Sequence, residues 1–375
     1  MKVCIVSLNI VPLFVGDRDS LFGGAEVQAS FVANALEACN QSVSMVVANL
    51  SDPGIIPYPV ENAYDSSQGV PGLRCLHPRW TGLMGALERA DADVYYQRNA
   101  GMVTGPVAMF CRQKGKVFVF GAGSDVDFSP SEVAITSIRD KVLYAYGLKK
   151  CSGFVVQNER QREAAERRFQ KPIRVIPNGI RPDGVTRDSL RDTIVWIGAM
   201  WPVKRPELFL DLARRMPERK FIMIGGGGEL VSQIRAEAEG LSNLTMMGRV
   251  PRSEIGGVLR NAAALVNTSS VEGFPNAFLE AWNSGVPVVT FNDVDGIIRQ
   301  EGVGAVCASM DEMVGAIRAL ADNNTSQAMR EQARKIARER FSPEVLGPRY
   351  VEFFEELLQS KNTLAPGAIA SVSRA

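Results

Sequence analysis

Two glutamates, Glu272 and Glu280, stand with seven residues between them in the stretch SSVEGFPNAFLEAWNSGVPVV, residues 269–289. The apolar run before Ser269 reads as a strand and AFLEAWNSG (277–285) as a helix, so residues 273–276 turn the chain between them. Pro275 suits a first helical position, because its missing N–H would be unpaired there anyway. Backbone amides and the helix dipole at such an end form a site for a phosphate or diphosphate, to which Phe274, Pro275, Asn276 and Ala277 would belong. Glu280, about one turn inside the helix, is placed to accept hydrogen bonds from a diol such as a ribose. Glu272, in the loop, can reach hydroxyls beyond the phosphates.

Short β-rich runs alternate with longer helical patterns along the chain, which predicts βα units and parallel sheets. The first set is KVCIVSL (2–8), VSMVVANL (43–50), DVYYQ (93–97), KVFVF (116–120), GFVVQN (153–158) and IRVIP (173–177). A turn-rich polar stretch, 177–192, reads as a linker. The pattern then restarts with TIVWIG (193–198), KFIMIG (220–225), LTMMG (244–248), AALVNTS (263–269), VPVVTF (286–291) and GAVCA (304–308). Two doubly wound domains place ligand sites at the carboxyl ends of their strands, hence in the cleft between them.

The composition excludes several classes. The chain has 375 residues, more than one core usually holds, and 42 basic against 41 acidic residues, so no global field recruits nucleic acid. Six scattered cysteines with no C-x-x-C pair fit buried thiols in a reducing compartment. The first 20 residues read neither as a signal peptide nor as a membrane span, and the expected setting is cytoplasmic.

The glutamate stretch resembles the signature of retaining glycosyltransferases of the GT-B fold, in particular glycosyltransferase family four (glycosyl transferases group 1). The likeness extends to IGAMWPVKRPELFLDLA (197–213), IGGGGEL (224–230), LTMMGRVPRSEI (244–255), VIPNGI (175–180), FGGAEV (22–27) and FSPEVLGPRYVEFFEELL (341–358). It implies an α/β fold of GT-B architecture, two Rossmann-like doubly wound domains with a cleft between them. Residues 1–178 would bind the acceptor and 179–340 the nucleotide-sugar donor; 341–360 would cross back to the first domain, leaving a tail at 361–375.

By the same resemblance Lys204 and Arg205 would neutralise the leaving diphosphate, Glu272 would bind the donor sugar and Glu280 the ribose. Gly248 to Val250 would face the base. Gly24 would approach the donor phosphates, and Gly23 and Glu26 would border the acceptor pocket. The implied partners are a UDP- or GDP-sugar donor and a saccharide or lipid-linked saccharide acceptor, with peripheral contact at the inner face of the membrane as a further expectation. No nucleic acid, cofactor or metal is implied, and closure about Gly184 would exclude water.

Two departures from the family stand out. Its cleft histidine is missing: the only histidine is His77, and FVFGAGSDVDF (118–128) occupies the equivalent stretch, with Asp125 as the candidate substitute. Gly198 is followed by Ala199 rather than by arginine. These departures keep a catalytically silent sugar-nucleotide-binding protein, or a GT-B nucleotide-sugar epimerase, as alternatives.

Other signals have plainer readings. The glycines 225–228 lack the further glycine or alanine of a dinucleotide loop. Asp-x-Asp pairs at Asp17/Asp19, Asp91/Asp93, Asp125/Asp127 and Asp293/Asp295 recur by chance among 41 acids. ERQREAAERRFQKPIR (159–174) reads as a solvated helix with internal salt bridges, and Trp201 as local packing.

Overall fold

The structure, a computed structural model, describes residues 1–15, 23–69, 75–129, 131–182, 192–322 and 326–364. Phe22, Asp17, Asp19 and Gly184, which carry sequence expectations, lie outside these. The described residues divide into two compact units. One holds Met1–Val15, the described residues between 23 and Pro177, and Pro343–Leu364; the other holds Asn178–Ser342.

The first unit is built on a parallel sheet of seven strands: β1 (Lys2–Val6), β2 (Ser42–Val47), β3 (Val60–Asn62), β4 (Val94–Arg98), β5 (Val117–Gly121), β6 (Gly153–Val156) and β7 (Ile173–Val175). Their order is β3-β2-β1-β4-β5-β6-β7. Both faces are covered, so the strands are apolar on both sides. Val3 and Ile5 join Phe31, Leu36, Phe353 and Phe354 in one core, while Cys4 and Val6 join Leu83, Phe118, Phe120 and Phe154 in the other. Beyond β1 the chain forms a short helix, Val11–Val15.

The second unit repeats the plan with six parallel strands: β8 (Thr193–Ile197), β9 (Lys220–Ile224), β10 (Leu244–Gly248), β11 (Ala262–Asn267), β12 (Val288–Thr290) and β13 (Gly304–Val306). Their order is β10-β9-β8-β11-β12-β13. Val195, Leu265 and Val288 pack on Phe278, Trp282 and Phe341; Ile194, Met223 and Val289 pack on Phe209 and Leu210. In each sheet the winding reverses beside the first strand, between β1 and β4 and between β8 and β11. Loops leaving the carboxyl ends of strands at such a reversal diverge and leave a crevice for ligand.

Candidate functional site

The reversal in the second unit brings Lys204, Arg205 and Glu272 together. After β8 the chain forms a 3-10 turn, Pro202–Lys204, then Arg205 at φ +47, then the helix Pro206–Arg215. A left-handed arginine is strained, by about 1 kcal/mol, and side-chain bonds hold it. Its Nε donates to the Thr268 carbonyl at 2.6 Å and its Nη2 to that of Ser269 at 3.2 Å, while the guanidinium lies 4.9 Å from the Phe291 ring centre. The guanidinium, expected to face a diphosphate, is turned by these bonds onto the backbone of the neighbouring loop, which it ties to Lys204. The tie is reciprocal. Thr268 Oγ1 donates to the Lys204 carbonyl at 2.7 Å and accepts from Trp196 Nε1 at 3.0 Å, and the Ser270 amide donates to the Val203 carbonyl at 2.8 Å.

Between these locked loops Lys204 Nζ donates to both oxygens of Glu272, at 2.7 and 2.8 Å. The Glu272 side chain is 7% exposed and that of Lys204 29%. Glu272 Oε1 also accepts from Asn267 Nδ2 at 3.0 Å and Ser269 Oγ at 2.5 Å. The carboxylate is therefore fixed by groups at the end of β11, whereas the more exposed lysine can change partners. An incoming anion would compete with Glu272 for it.

The helix carrying Glu280 runs Asn276–Asn283, because Phe278, Leu279, Ala281 and Trp282 bury one face and Trp282 stacks on Phe341 at 5.9 Å. Pro275 is the residue before the helix, at φ −67 and ψ 126, rather than its first residue. Asn178, 5% exposed, bridges the proline: its Nδ2 donates to the Phe274 carbonyl at 2.7 Å and to Asn276 Oδ1 at 2.9 Å. The Phe274 ring is buried against Phe341 at 5.1 Å and Trp282 at 6.5 Å, so only its backbone is placed for the expected donor contact. The first turn brings the backbone of Asn276 and Ala277 to the positive end of the helix. Glu280 Oε1 accepts from Arg252 Nε at 2.9 Å, with side chains 16% and 32% exposed. Gly248 closes β10 at φ +67, and Val250 packs on the core around Phe278.

The glycine run after β9 is a backbone seat. A Cβ at Gly225, φ +138, would lie 1.8 Å from the Gly198 carbonyl oxygen, and one at Gly228, φ +98, 2.4 Å from that of Met200. Only glycine lets these two loops approach so closely.

Gly23, Gly24, Glu26 and Asp125 belong to the first unit. Gly24 begins the helix Gly24–Ala38, and Glu26 Oε2 accepts from the Gly23 amide at 2.9 Å. Gly23 and Glu26 line a cavity of about 480 Å³ with Leu8, Asn9, Val11, Pro12, Ala48 and Asn49, above β1 and β2. Asp125 is tied down, accepting from Gln161 Nε2 at 3.1 Å and pairing with Arg160 at 3.0 Å. His77 is exposed and shares a 2.8 Å bond with Thr81. Trp201 is 49% exposed.

The Asp-x-Asp acids inside the described residues have local partners. Asp91 binds Lys116 at 3.0 Å, Asp93 accepts the Lys2 amide at 2.8 Å and Asp293 accepts the Ile298 amide at 2.8 Å. Among the described residues no group of three or more His, Cys, Asp or Glu could hold a metal ion. The helix Glu159–Glu166 carries the predicted internal pairs, Arg162 with Glu159 at 2.5 Å and with Glu166 at 2.8 Å. Trp196, Asn178, Arg252, Asn267 and Ser269 went unnoticed in the sequence. Only Asn267 and Ser269 carried a signal, as polar residues ending an apolar strand.

Two parallel doubly wound units with these strand orders define the GT-B fold. The same fold is seen in Anabaena HepE, solved with UDP and glucose, at a TM-score of 0.72 and 17% identity over 95% of this chain and 100% of that one. Residues 191–323 match the family described as glycosyl transferases group 1. A curated relative is the Escherichia coli UDP-Gal:alpha-D-GlcNAc-diphosphoundecaprenol alpha-1,3-galactosyltransferase, 25% identical over 43% of this chain and 48% of its own length. Another is the Escherichia coli O-antigen chain mannosyltransferase C, 28% identical over 52% of this chain and 58% of its own. The chain thus spans about half the length of these curated relatives.

Proposed function

We propose that the chain is a retaining, metal-independent glycosyltransferase that moves a sugar from a nucleotide diphosphate sugar to a hydroxyl of a saccharide or lipid-linked saccharide. The observation that carries this reading is the Lys204–Glu272 pair at the strand reversal, beside the start of the helix that bears Glu280. In this reading the donor diphosphate takes Lys204 from Glu272, and the helix start at Asn276 and Ala277 adds backbone donors. Charge developing on the leaving phosphate meets groups already oriented by Arg205, Thr268 and Asn178, the condition under which electrostatic stabilisation is most effective. Glu272, released from the lysine, accepts from the sugar hydroxyls, and Glu280 accepts from the ribose. The leaving phosphate then takes the acceptor's proton as the new bond forms on the same face. Residues 23–26 border the acceptor in the first unit.

A UDP-sugar is the preferred donor, supported by the UDP in the HepE structure and the UDP-Gal in the galactosyltransferase's name; a GDP-sugar is the alternative. The test is thermal unfolding with UDP, GDP, ADP or CMP, in the wild type and in Glu280→Ala. A nucleotide at a hundred times its Kd adds about 2.7 kcal/mol, and we expect UDP to do so and Glu280→Ala to lose most of the effect. No stabilisation by any of the four would sink the donor site.

The setting proposed is cytoplasmic with peripheral contact at the membrane, favoured by one surface. Ile138 and Val142, one helical turn apart, are 81% and 62% exposed on the helix Ile138–Lys150, whose last turn carries Lys149 and Lys150. Exposed apolar side chains and lysines carried on one helix suit an anionic lipid surface. The wild type should sediment with phosphatidylcholine vesicles containing phosphatidylglycerol, and the Ile138→Ser/Val142→Ser double variant should not; equal sedimentation of both refutes the contact.

A further inference from the structure

The turn after β10 and the helix Asn276–Asn283, the two elements expected to frame a nucleoside, are fastened to each other at two points. One is apolar. Val250, Ile255 and Val258 pack on the core that holds Phe278, Leu279 and Trp282, and Leu259 is fully buried in it. The other is the ion pair in which Arg252 Nε donates to Glu280 Oε1 at 2.9 Å, with Glu280 the more buried partner. Arg252 opens the helix Arg252–Leu259, directly after Pro251. A cation in a first helical turn is opposed by the helix dipole, so the position is unfavourable locally and the bond to Glu280 offsets it. The apolar seat already sets how the two helices lie. What the ion pair adds is the direction of the Glu280 carboxylate and the cancelling of its charge.

We propose that Arg252 is a positioning residue for donor binding: through its bond to Glu280 it holds that carboxylate where ribose hydroxyls reach it, and so sets how strongly the chain prefers a ribonucleotide to a deoxy analogue. The role rests on the reading of Glu280 as the acid that holds the ribose. A carboxylate accepts about four hydrogen bonds, so the arginine bond persists when hydroxyls arrive. A glutamate left to itself samples several rotamers, and fixing one beforehand removes an ordering cost from binding. A carboxylate without a cation, one turn inside the helix, would also repel a diphosphate at the helix start; the guanidinium offsets that repulsion. The two ion pairs of this unit thus act differently. Lys204 sits on an exposed turn and is proposed to leave Glu272 for the donor, whereas Arg252 belongs to a helix seated in the core and stays with Glu280.

The experiment is calorimetric titration of the full chain with UDP, 2′-deoxy-UDP and 3′-deoxy-UDP. Wild type, Arg252→Ala, Glu280→Ala and the double variant are compared, each also unfolded in urea without ligand. A hydrogen bond to a charged group is worth about tenfold or more in affinity, and we expect wild type to prefer UDP to at least one deoxy analogue by that factor. Arg252→Ala should cut the preference to about threefold or less while unfolding near the wild-type urea midpoint, because a partly exposed pair adds little stability. Glu280→Ala should abolish the preference, and the double variant should match it. A preference that survives intact in Arg252→Ala overturns the inference. Tighter UDP binding by Arg252→Ala also overturns it, by showing that the arginine competes with the ribose. A preference lost only together with a large fall in the urea midpoint marks a structural role and overturns it as well. The ribose reading is judged separately, without any Arg252 variant: no UDP binding by wild type, or a preference unchanged in Glu280→Ala, sinks that reading and the role of Arg252 with it. Should Arg252→Ala fail to fold, Arg252→Gln, which keeps the stem and removes the charge, replaces it in every comparison.

Discussion

Replacing Lys204 by alanine should destabilise the protein more than replacing Glu272 by glutamine, although the two form one ion pair. The asymmetry comes from their burial. Glu272 is 7% exposed, so without the lysine it becomes a carboxylate with no cation and little water, keeping only Asn267 and Ser269 as donors. Removing one partner of a fully buried pair costs about 3–5 kcal/mol; with two donors left and a partly exposed lysine, about 2–3 kcal/mol is expected for Lys204→Ala. Glu272→Gln leaves a lysine that is 29% exposed and can turn to water, so its loss should stay near 1 kcal/mol, as for surface pairs. Urea unfolding at pH 7 followed by tryptophan fluorescence measures this, because three of the four tryptophans, Trp196, Trp201 and Trp282, lie in the second unit. Unchanged m-values let the midpoints be compared directly. The double variant should cost less than the sum of the two, with a coupling of about 1–2 kcal/mol. Equal single losses, or a larger one for Glu272→Gln, would refute the claim that the carboxylate depends on the lysine.

Asn178→Ala removes the bridge across Pro275 and leaves the Phe274 carbonyl without that donor, which should cost about 1–3 kcal/mol; the thermal midpoint with and without UDP should also show weaker nucleotide stabilisation, and an unchanged UDP response would separate the bridge from the site. For Asp127 the linkage has a definite sign. Its folded pKa, about 6, lies above the 3.8 of an ordinary aspartate, so the native state holds the extra proton between these values and stability falls as pH rises through that window. The rise corresponds to about 3 kcal/mol, so Asp127→Asn should be more stable than wild type at pH 7 by up to that amount, with the advantage fading toward pH 4. A variant less stable than wild type at pH 7 and pH 4 alike would show that the charge is not held at a cost.

The strands that position the site were legible because both faces of these parallel sheets are buried and the runs are continuously apolar. β3 was not, since Val60, Glu61 and Asn62 form three half-buried residues at a sheet edge with no apolar run to announce them. Glu272, Glu280 and Lys204 were readable from their spacing and loop context, and the structure brings the first and last into contact. Orientation was not readable. The sequence placed Arg205 beside Lys204 but did not show that its left-handed backbone turns the guanidinium onto the Thr268 and Ser269 carbonyls. Asp125 and Asp127 differ by two positions in a tight turn, and no pattern in GSDVDF says which is buried. Asn178 meets its partners across about a hundred residues of chain, a distance that local periodicity does not encode.

The two buried acids are stabilised in different ways, and that difference constrains what each can do. Glu272 is neutralised by a lysine that is more exposed than itself, so an anion from solvent can draw the lysine away and leave a carboxylate with two fixed donors and spare acceptor capacity. Such a group can change partners when an anion arrives. No ion pair neutralises Asp127 among the described residues; its Oδ2 holds two amides of its own loop, and burial raises its pKa. That acid has no partner to exchange and changes only by taking a proton. Glu272 is therefore suited to change partners, and Asp127 to fix the turn that follows β5.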